Sequence, residues 1–185
     1  MRDAGRIVLL NGPSSSGKTS IGKAMLPLLE EPWFFVPVDS VSGLRSTVHQ
    51  RQLDDSAVSE MLHRTRLGYH RVVRALASVG NHVLMDYPLS EPWRLTDLLS
   101  VLAAFDVTLV EVVCSPEELS RRERLRGDRP VGLAASQRVC DHDEQDLTVD
   151  STNSSPEECA AYIVDRLDKV PSPKAFDRLR RQRTR

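Results

Sequence analysis

The chain has 185 residues, 40% hydrophobic and 28% charged, with 25 basic against 26 acidic side chains and a net charge of −1. That length suits one domain with a substantial core, and the balanced charge excludes a global field drawing the chain to nucleic acid or to a membrane surface. No stretch approaches the about 18 apolar residues of a membrane span, and the apolar run at 7–10 is too short for a secretory signal.

Residues 7–10, Ile-Val-Leu-Leu, read as a buried strand. They lead into NGPSSSGKTS, in which Gly12, Gly17, Lys18 and Thr19 fill every fixed position of G-x-x-x-x-G-K-[ST]. Glycines there let several backbone N–H groups turn inward on an anion, and the following helix presents its positive end. Gly12, Pro13, Ser14, Ser15, Ser16, Gly17, Lys18, Thr19 and Ser20 are therefore the expected nucleotide cradle. Lys18 is expected to reach the β/γ-phosphates of ATP and Thr19 to ligate Mg²⁺. Ile21, Met25, Leu28 and Leu29 supply the helical pattern that the motif needs.

Residues 34–38 and 82–85 are the next strands, each running into an aspartate, Asp39 and Asp86. In a parallel α/β sheet the ligand crevice lies beyond the carboxyl ends of the strands, so both carboxylates are expected to face the phosphate loop. Asp86 suits a direct or water-mediated Mg²⁺ ligand, and Asp39 suits the base that accepts a proton from an acceptor hydroxyl. Between them, apolar residues at Val58, Met61, Leu62, Val72, Val73, Leu76 and Val79 predict one long helix over 56–79, stopped by Gly80 and Asn81. Tyr69, His70, Tyr87 and Trp93 are either ordinary packing or aromatic walls for an acceptor.

Residues 107–114 and 147–149 complete five strands, and Ser115-Pro116 and Ser155-Pro156 each open a helix. Continuous apolar strands alternating with helices point to an α/β fold with a covered parallel sheet. Arginines 121, 122, 124, 126 and 129 lie on the helix after the fourth strand and in the loop beyond it. Arg126 and Arg129 flank Gly127 and are preferred as a lid that closes on the triphosphate. The polar loop at 150–155 is a weak candidate for bordering the adenine. Residues 170–185 are expected to be a short, solvated basic tail, leaving 1–169 as the kinase domain. Cys114, Cys140 and Cys159 are odd in number and far apart, which fits reduced thiols and a cytoplasmic location.

Taken together, residues 10–19, Glu31-Pro32-Trp33 leading to Val38-Asp39-Ser40, Arg126-Gly127-Asp128-Arg129 and Val149-Asp150-Ser151-Thr152 resemble the chloramphenicol phosphotransferase family over roughly residues 6–167. The resemblance implies a three-layer P-loop NTPase fold, related to shikimate and nucleoside monophosphate kinases, with a five-stranded parallel sheet in the order 2-3-1-4-5. It implies ATP- and Mg²⁺-dependent phosphorylation of a small-molecule hydroxyl, antibiotic resistance or self-protection, Asp39 as base, and lid contacts from Arg126 and Arg129. Residues 40–55, which follow the base, bring Arg45, His49 and Arg51, groups suited to an anionic acceptor rather than a neutral amphenicol. Two acceptor classes therefore stay open, with homo-oligomerisation also open and neither nucleic acid nor membrane expected as a partner. A non-catalytic ATP-binding switch is the reading of another class.

Overall fold

A computed structural model of the protein describes residues 4–46, 52–126, 132–139 and 142–183. Its strands are β1 (Ile7–Asn11), β2 (Trp33–Pro37), β3 (His82–Asp86), β4 (Val107–Val113) and β5 (Leu147–Asp150). They form one sheet in the expected order β2-β3-β1-β4-β5, and every neighbouring pair is parallel. The helices are α1 (Lys18–Met25), α2 (Val38–Gly43), α3 (Asp55–Ser78), α4 (Pro92–Val101), α5 (Pro116–Arg126), α6 (Leu133–Ser136), α7 (Pro156–Arg166) and α8 (Ala175–Arg183).

The two-residue period of the strands sorts their side chains onto two faces. Ile7, Leu9, Val83, Met85, Val107 and Leu109 meet Tyr69 and Val73 of α3, Leu98 of α4 and Phe176 of α8. Val8, Leu10, Leu84, Val110 and Val112 meet Ile21 of α1 and Cys159, Ala160 and Ile163 of α7. Burial on both faces is why the central strands read as unbroken apolar runs rather than alternating ones. All five residues of β1 are buried, which fixes the position of the loop that follows it.

Two expectations are corrected. Asp39 does not end a strand: β2 stops at Pro37, whose backbone caps α2, and Asp39 lies in the first helical turn. Pro37 donates no hydrogen bond and fits the last position of an edge strand. The basic stretch after residue 170 is not a solvated tail. Ala175, Phe176 and Leu179 of α8 are buried, and Arg178 donates to Glu144 at 2.5 Å and to the Gln145 carbonyl at 2.9 Å. Asp146 pins the start of α8 to the sheet, accepting from the N–H groups of Ala175 at 2.7 Å and Leu109 at 2.9 Å.

Ser155 forms a capping box with Glu158 at the start of α7, and Ser115 accepts from the Glu118 N–H at the start of α5. Cys114 and Cys159 are free thiols; Cys140, His49 and Arg51 lie outside the described residues. Among the described residues no helix is long and apolar enough to cross a membrane.

Candidate active site

The loop between β1 and α1 has the geometry of a phosphate cradle. Gly17 holds a φ of +91°, and a Cβ on Gly12 would fall 2.5 Å from the Val112 carbonyl oxygen and 2.8 Å from Ser16 Oγ. Both positions thus require glycine, one for its backbone angle and the other for close packing. Ser15 also lies at positive φ, 62°, the one strained non-glycine of this loop. Ser14, Ser15, Gly17, Lys18, Thr19 and Ser20 line a cavity of about 990 Å³, while Gly12, Pro13 and Ser16 build the loop behind them. That volume is at the upper end of the range for small-molecule sites, about 300–1,000 Å³, as two reactants held together would need.

Lys18 folds back over the loop and donates to the Pro13 carbonyl at 2.7 Å. Parallel register sets Asp86 beside Leu10, one residue short of the loop region, so the β3 carboxylate reaches the start of α1. There Thr19 Oγ1 donates to Asp86 Oδ2 at 2.5 Å, and Lys18 Nζ lies 4.0 Å from Asp86 Oδ1. The sheet thus brings together Lys18, Thr19 and Asp86. A hydroxyl and a carboxylate presenting oxygen donors side by side suit a hard cation such as Mg²⁺.

Two sides of the cavity come from opposite halves of the sheet. On the β4/β5 side, Arg122 of α5 donates to Glu118 at 2.7 Å, to the Ser151 carbonyl at 2.5 Å and to the Ser15 carbonyl at 3.4 Å. Ser151 in turn donates to the Ser16 carbonyl at 2.7 Å, so the loop after β5 is tied to the phosphate loop. Ser151 and Ser154 line the cavity, as does Gln137, whose Oε1 accepts from the Ser14 N–H at 2.6 Å. Arg122, ranked below Arg126 and Arg129 from sequence, lines the cavity, whereas Arg121 turns to Glu118. Arg129 and the side chain of Arg126 lie outside the described residues. Glu123, buried on the same helix, accepts from the N–H groups of Gly132 at 2.8 Å and Ala134 at 2.7 Å, anchoring the chain where it returns to α6.

On the β2/β3 side the lining comes from Val38, Asp39 and Ser42 of α2, Arg66 of α3, Pro88 after β3, and Arg94 of α4. Arg94 is nearly buried: Nε donates to Glu91 at 2.9 Å and Nη1 to the Pro88 carbonyl at 2.9 Å. Its guanidinium carbon lies 5.5 Å from the Tyr87 ring centre and 5.8 Å from that of Trp93, within cation–π range. Burial and the neighbouring Arg94 charge pull the Arg66 pKa down, against the opposing pull of Tyr87, Glu91 and Asp39. Arg45, expected at the acceptor, instead donates to Thr65 Oγ1 at 3.1 Å. Tyr69 and Tyr87 are fully buried in the core, Tyr69 donating to the Val36 carbonyl at 2.7 Å; they are packing rather than cavity walls.

The model of the family described as chloramphenicol phosphotransferase-like protein matches residues 5–168. The chain belongs to that family. Two Mycobacterium tuberculosis strains carry a relative described provisionally as an O-phosphotransferase, 32% identical over 96% of this chain and 89% of its own length. Among solved structures, an APS kinase from Mycobacterium tuberculosis in complex with AMPPNP and APS aligns with a TM-score of 0.68 at 18% identity, over 90% of this chain and 99% of its own. A shikimate kinase from Aquifex aeolicus gives 0.56 at 18% identity, over 88% and 96%. A gluconokinase from Sinorhizobium meliloti gives 0.60 at 18%, over 91% and 96%. At such identities these neighbours establish the shared P-loop kinase fold of this chloramphenicol phosphotransferase-like chain.

Sequence reasoning missed Arg66, Arg94 and Gln137 as lining residues. Arg66 carried a signal. It lies three and four residues before the buried Tyr69 and His70, on the stripe that continues to Val73 and Ala77. Arg94 likewise starts the buried face of α4 with Leu95, Leu98 and Leu99. A cation in phase with an apolar stripe faces inward, where it needs a partner.

Proposed function

We propose that the protein is an ATP-dependent O-phosphotransferase that moves the γ-phosphoryl group onto a hydroxyl of a small molecule. The observation that supports this most is one cavity lined by Lys18 and Thr19 at one end, Asp86 between, and Asp39 at the other. A switch that only binds nucleotide has no use for the second carboxylate.

In this reading the loop amides from Ser14 to Thr19 and the Lys18 ammonium hold the phosphates, while Arg122 closes the cavity on the β4/β5 side. Thr19 Oγ1 and Asp86 would hold Mg²⁺, which neutralises phosphate charge as the transfer proceeds. Among the described residues no cluster of three or more His, Cys, Asp or Glu side chains could cage a metal, so its remaining ligands would be phosphate oxygens and water. Asp39 takes the proton of the acceptor hydroxyl as that oxygen bonds to the γ-phosphorus. The bond from the γ-phosphorus to the β,γ-bridging oxygen breaks, and ADP leaves with its electron pair. Arg126 and Arg129 belong to the same proposal as lid cations. So do a cytoplasmic site of action and, should an amphenicol antibiotic prove to be the acceptor, a role in resistance.

Labelled ATP offered with a panel of antibiotics and hydroxylated metabolites, with mass spectrometry locating the added phosphate, tests the reading. Asp39→Asn should lower kcat by about 10²- to 10⁴-fold, the usual contribution of a positioned base, and leave ATP binding unchanged. Turnover equal to the parent enzyme would remove Asp39 from the mechanism.

A further inference from the structure

The β2/β3 end of the cavity brings two arginines, Arg66 and Arg94, together with Asp39. Arg66 forms no hydrogen bond or ion pair among the described residues, although it is half-buried and lines the cavity with Asp39. Arg94, only 5% exposed, commits Nε and Nη1 to Glu91 and Pro88, and its Nη2 has no partner among the described residues. Both arginines sit in phase with apolar helix stripes, where an unpaired charge costs stability. In a cavity, that cost is offset by a bound anion, and planar guanidinium groups match oxyanions with paired N–H donors.

The nucleotide does not account for this charge. The phosphate loop follows the central strand and turns toward Arg122 and Ser151 on the β4/β5 side. Arg66 and Arg94 enter from α3 and α4 on the other side, alongside Asp39. We propose that the acceptor carries a small oxyanionic group, a carboxylate or a phosphate, seated on Arg66 and Arg94 while its hydroxyl faces Asp39. This rests on the phosphotransferase reading for the role of Asp39, and it narrows the acceptor to anionic hydroxyl compounds. Arg66 is the specificity residue, because among the described residues it has no hydrogen-bond or ion-pair partner to give up when the anion arrives. Arg94, already braced by Glu91, forms the fixed half of the seat.

The test fills the phosphate loop first. Full-length protein saturated with Mg²⁺ and AMPPNP is titrated calorimetrically with shikimate, gluconate and glucose 6-phosphate, and with methyl shikimate, glucose and chloramphenicol as neutral counterparts. At least one anion binds, more tightly than any neutral compound, and the better of carboxylate and phosphate identifies the group. Arg66→Gln weakens that binding about 10- to 100-fold, the range for one charge-assisted contact, and removes the preference for anions. Arg66→Lys recovers part of it, and unchanged AMPPNP affinity in both variants shows that the fold is intact. Failure of all three anions to bind, tighter binding of a neutral compound, or loss of AMPPNP affinity in Arg66→Gln overturns the proposal. Transfer is scored separately: anion binding without transfer keeps the anion seat and removes the kinase reading. Transfer to chloramphenicol that is indifferent to Arg66→Gln keeps the kinase reading and removes the seat.

Discussion

Asn11, the last residue of β1, is fully buried and joins three segments that meet behind the phosphate loop. Its Oδ1 accepts from the Leu89 N–H at 2.9 Å, its Nδ2 donates to the Val139 carbonyl at 2.6 Å, and the same nitrogen lies 3.3 Å from His142 Nε2. Asn11→Ala removes both backbone contacts at once and leaves a buried N–H and a buried C=O without a protein partner. Each such orphan costs about 1–3 kcal/mol, so the variant should lose roughly 2–5 kcal/mol after the smaller desolvation cost of alanine is allowed for. For a chain of this size that corresponds to a fall in Tm of roughly 5–15 °C. Scanning calorimetry and urea titration both read it. Asn11→Asp sharpens the test: it keeps an acceptor for Leu89 but sets a carboxylate oxygen against the Val139 carbonyl. It should therefore be at least as damaging at neutral pH and milder under acid, where a protonated carboxyl can donate. A loss below about 1 kcal/mol in Asn11→Ala would show that solvent replaces the contacts and that the three segments are not held by this side chain.

Phe176→Ala should destabilise the protein by about 3–5 kcal/mol, the range for deleting a buried phenyl group, and deleting residues 170–185 should broaden or abolish the unfolding transition; a cooperative transition at the parent temperature would restore the solvated tail. Stability should also fall on acidification below pH 6.5, because burial lowers the pKa values of both His70 and His142. The unfolded histidines bind protons first, so this contribution is full above about pH 6.5 and is lost as the pH falls toward the folded-state values, by at most about 1.4 kcal/mol per pH unit and histidine. Asp97, hydrogen-bonded to His70 Nδ1 at 2.5 Å, opposes the shift and makes the His70 share smaller. Urea midpoints between pH 5 and 8 check it: His70→Gln should flatten the slope, and an equal slope in parent and variant would exclude His70 as the source.

The parts of the fold that were legible in the sequence share one property: the signal and its structural cause are local. An unbroken apolar run needs only burial on both faces, and the phosphate loop needs only glycines at fixed offsets before a lysine and a hydroxyl. Where the sequence misled, a competing local signal was read in place of a tertiary one. Along α3, Val72 and, at the helix's C-cap, Val79 fit the apolar helical period, yet they are 40% and 64% exposed, while Tyr69, His70, Val73 and Ala77 form the buried stripe. At the C-terminus the arginines outweighed Phe176 and Leu179, whose three-residue spacing marks an inward face. For Asp39, the residues before it read as strand up to the aspartate, although Pro37 ends the ladder two positions earlier.

The two ends of the cavity therefore differ in how they can be read and in what they gain on binding. At the nucleotide end the cations are already engaged with loop carbonyls, Lys18 with Pro13 and Arg122 with Ser15 and Ser151. Phosphates arriving there exchange one set of hydrogen bonds for another, and the cradle's contribution comes mainly from its preformed shape. At the acceptor end Arg66 gives up no hydrogen bond or ion pair among the described residues, so a charge-assisted contact there goes into binding and into discrimination against acceptors that lack an anion. The pair that makes this seat comes from two helices, 28 positions apart in the chain, each a single charge inside an otherwise apolar stripe. Such a seat leaves no spacing motif, whereas a cradle made of consecutive backbone amides must, and this is why the phosphate donor was legible before folding and the acceptor was not.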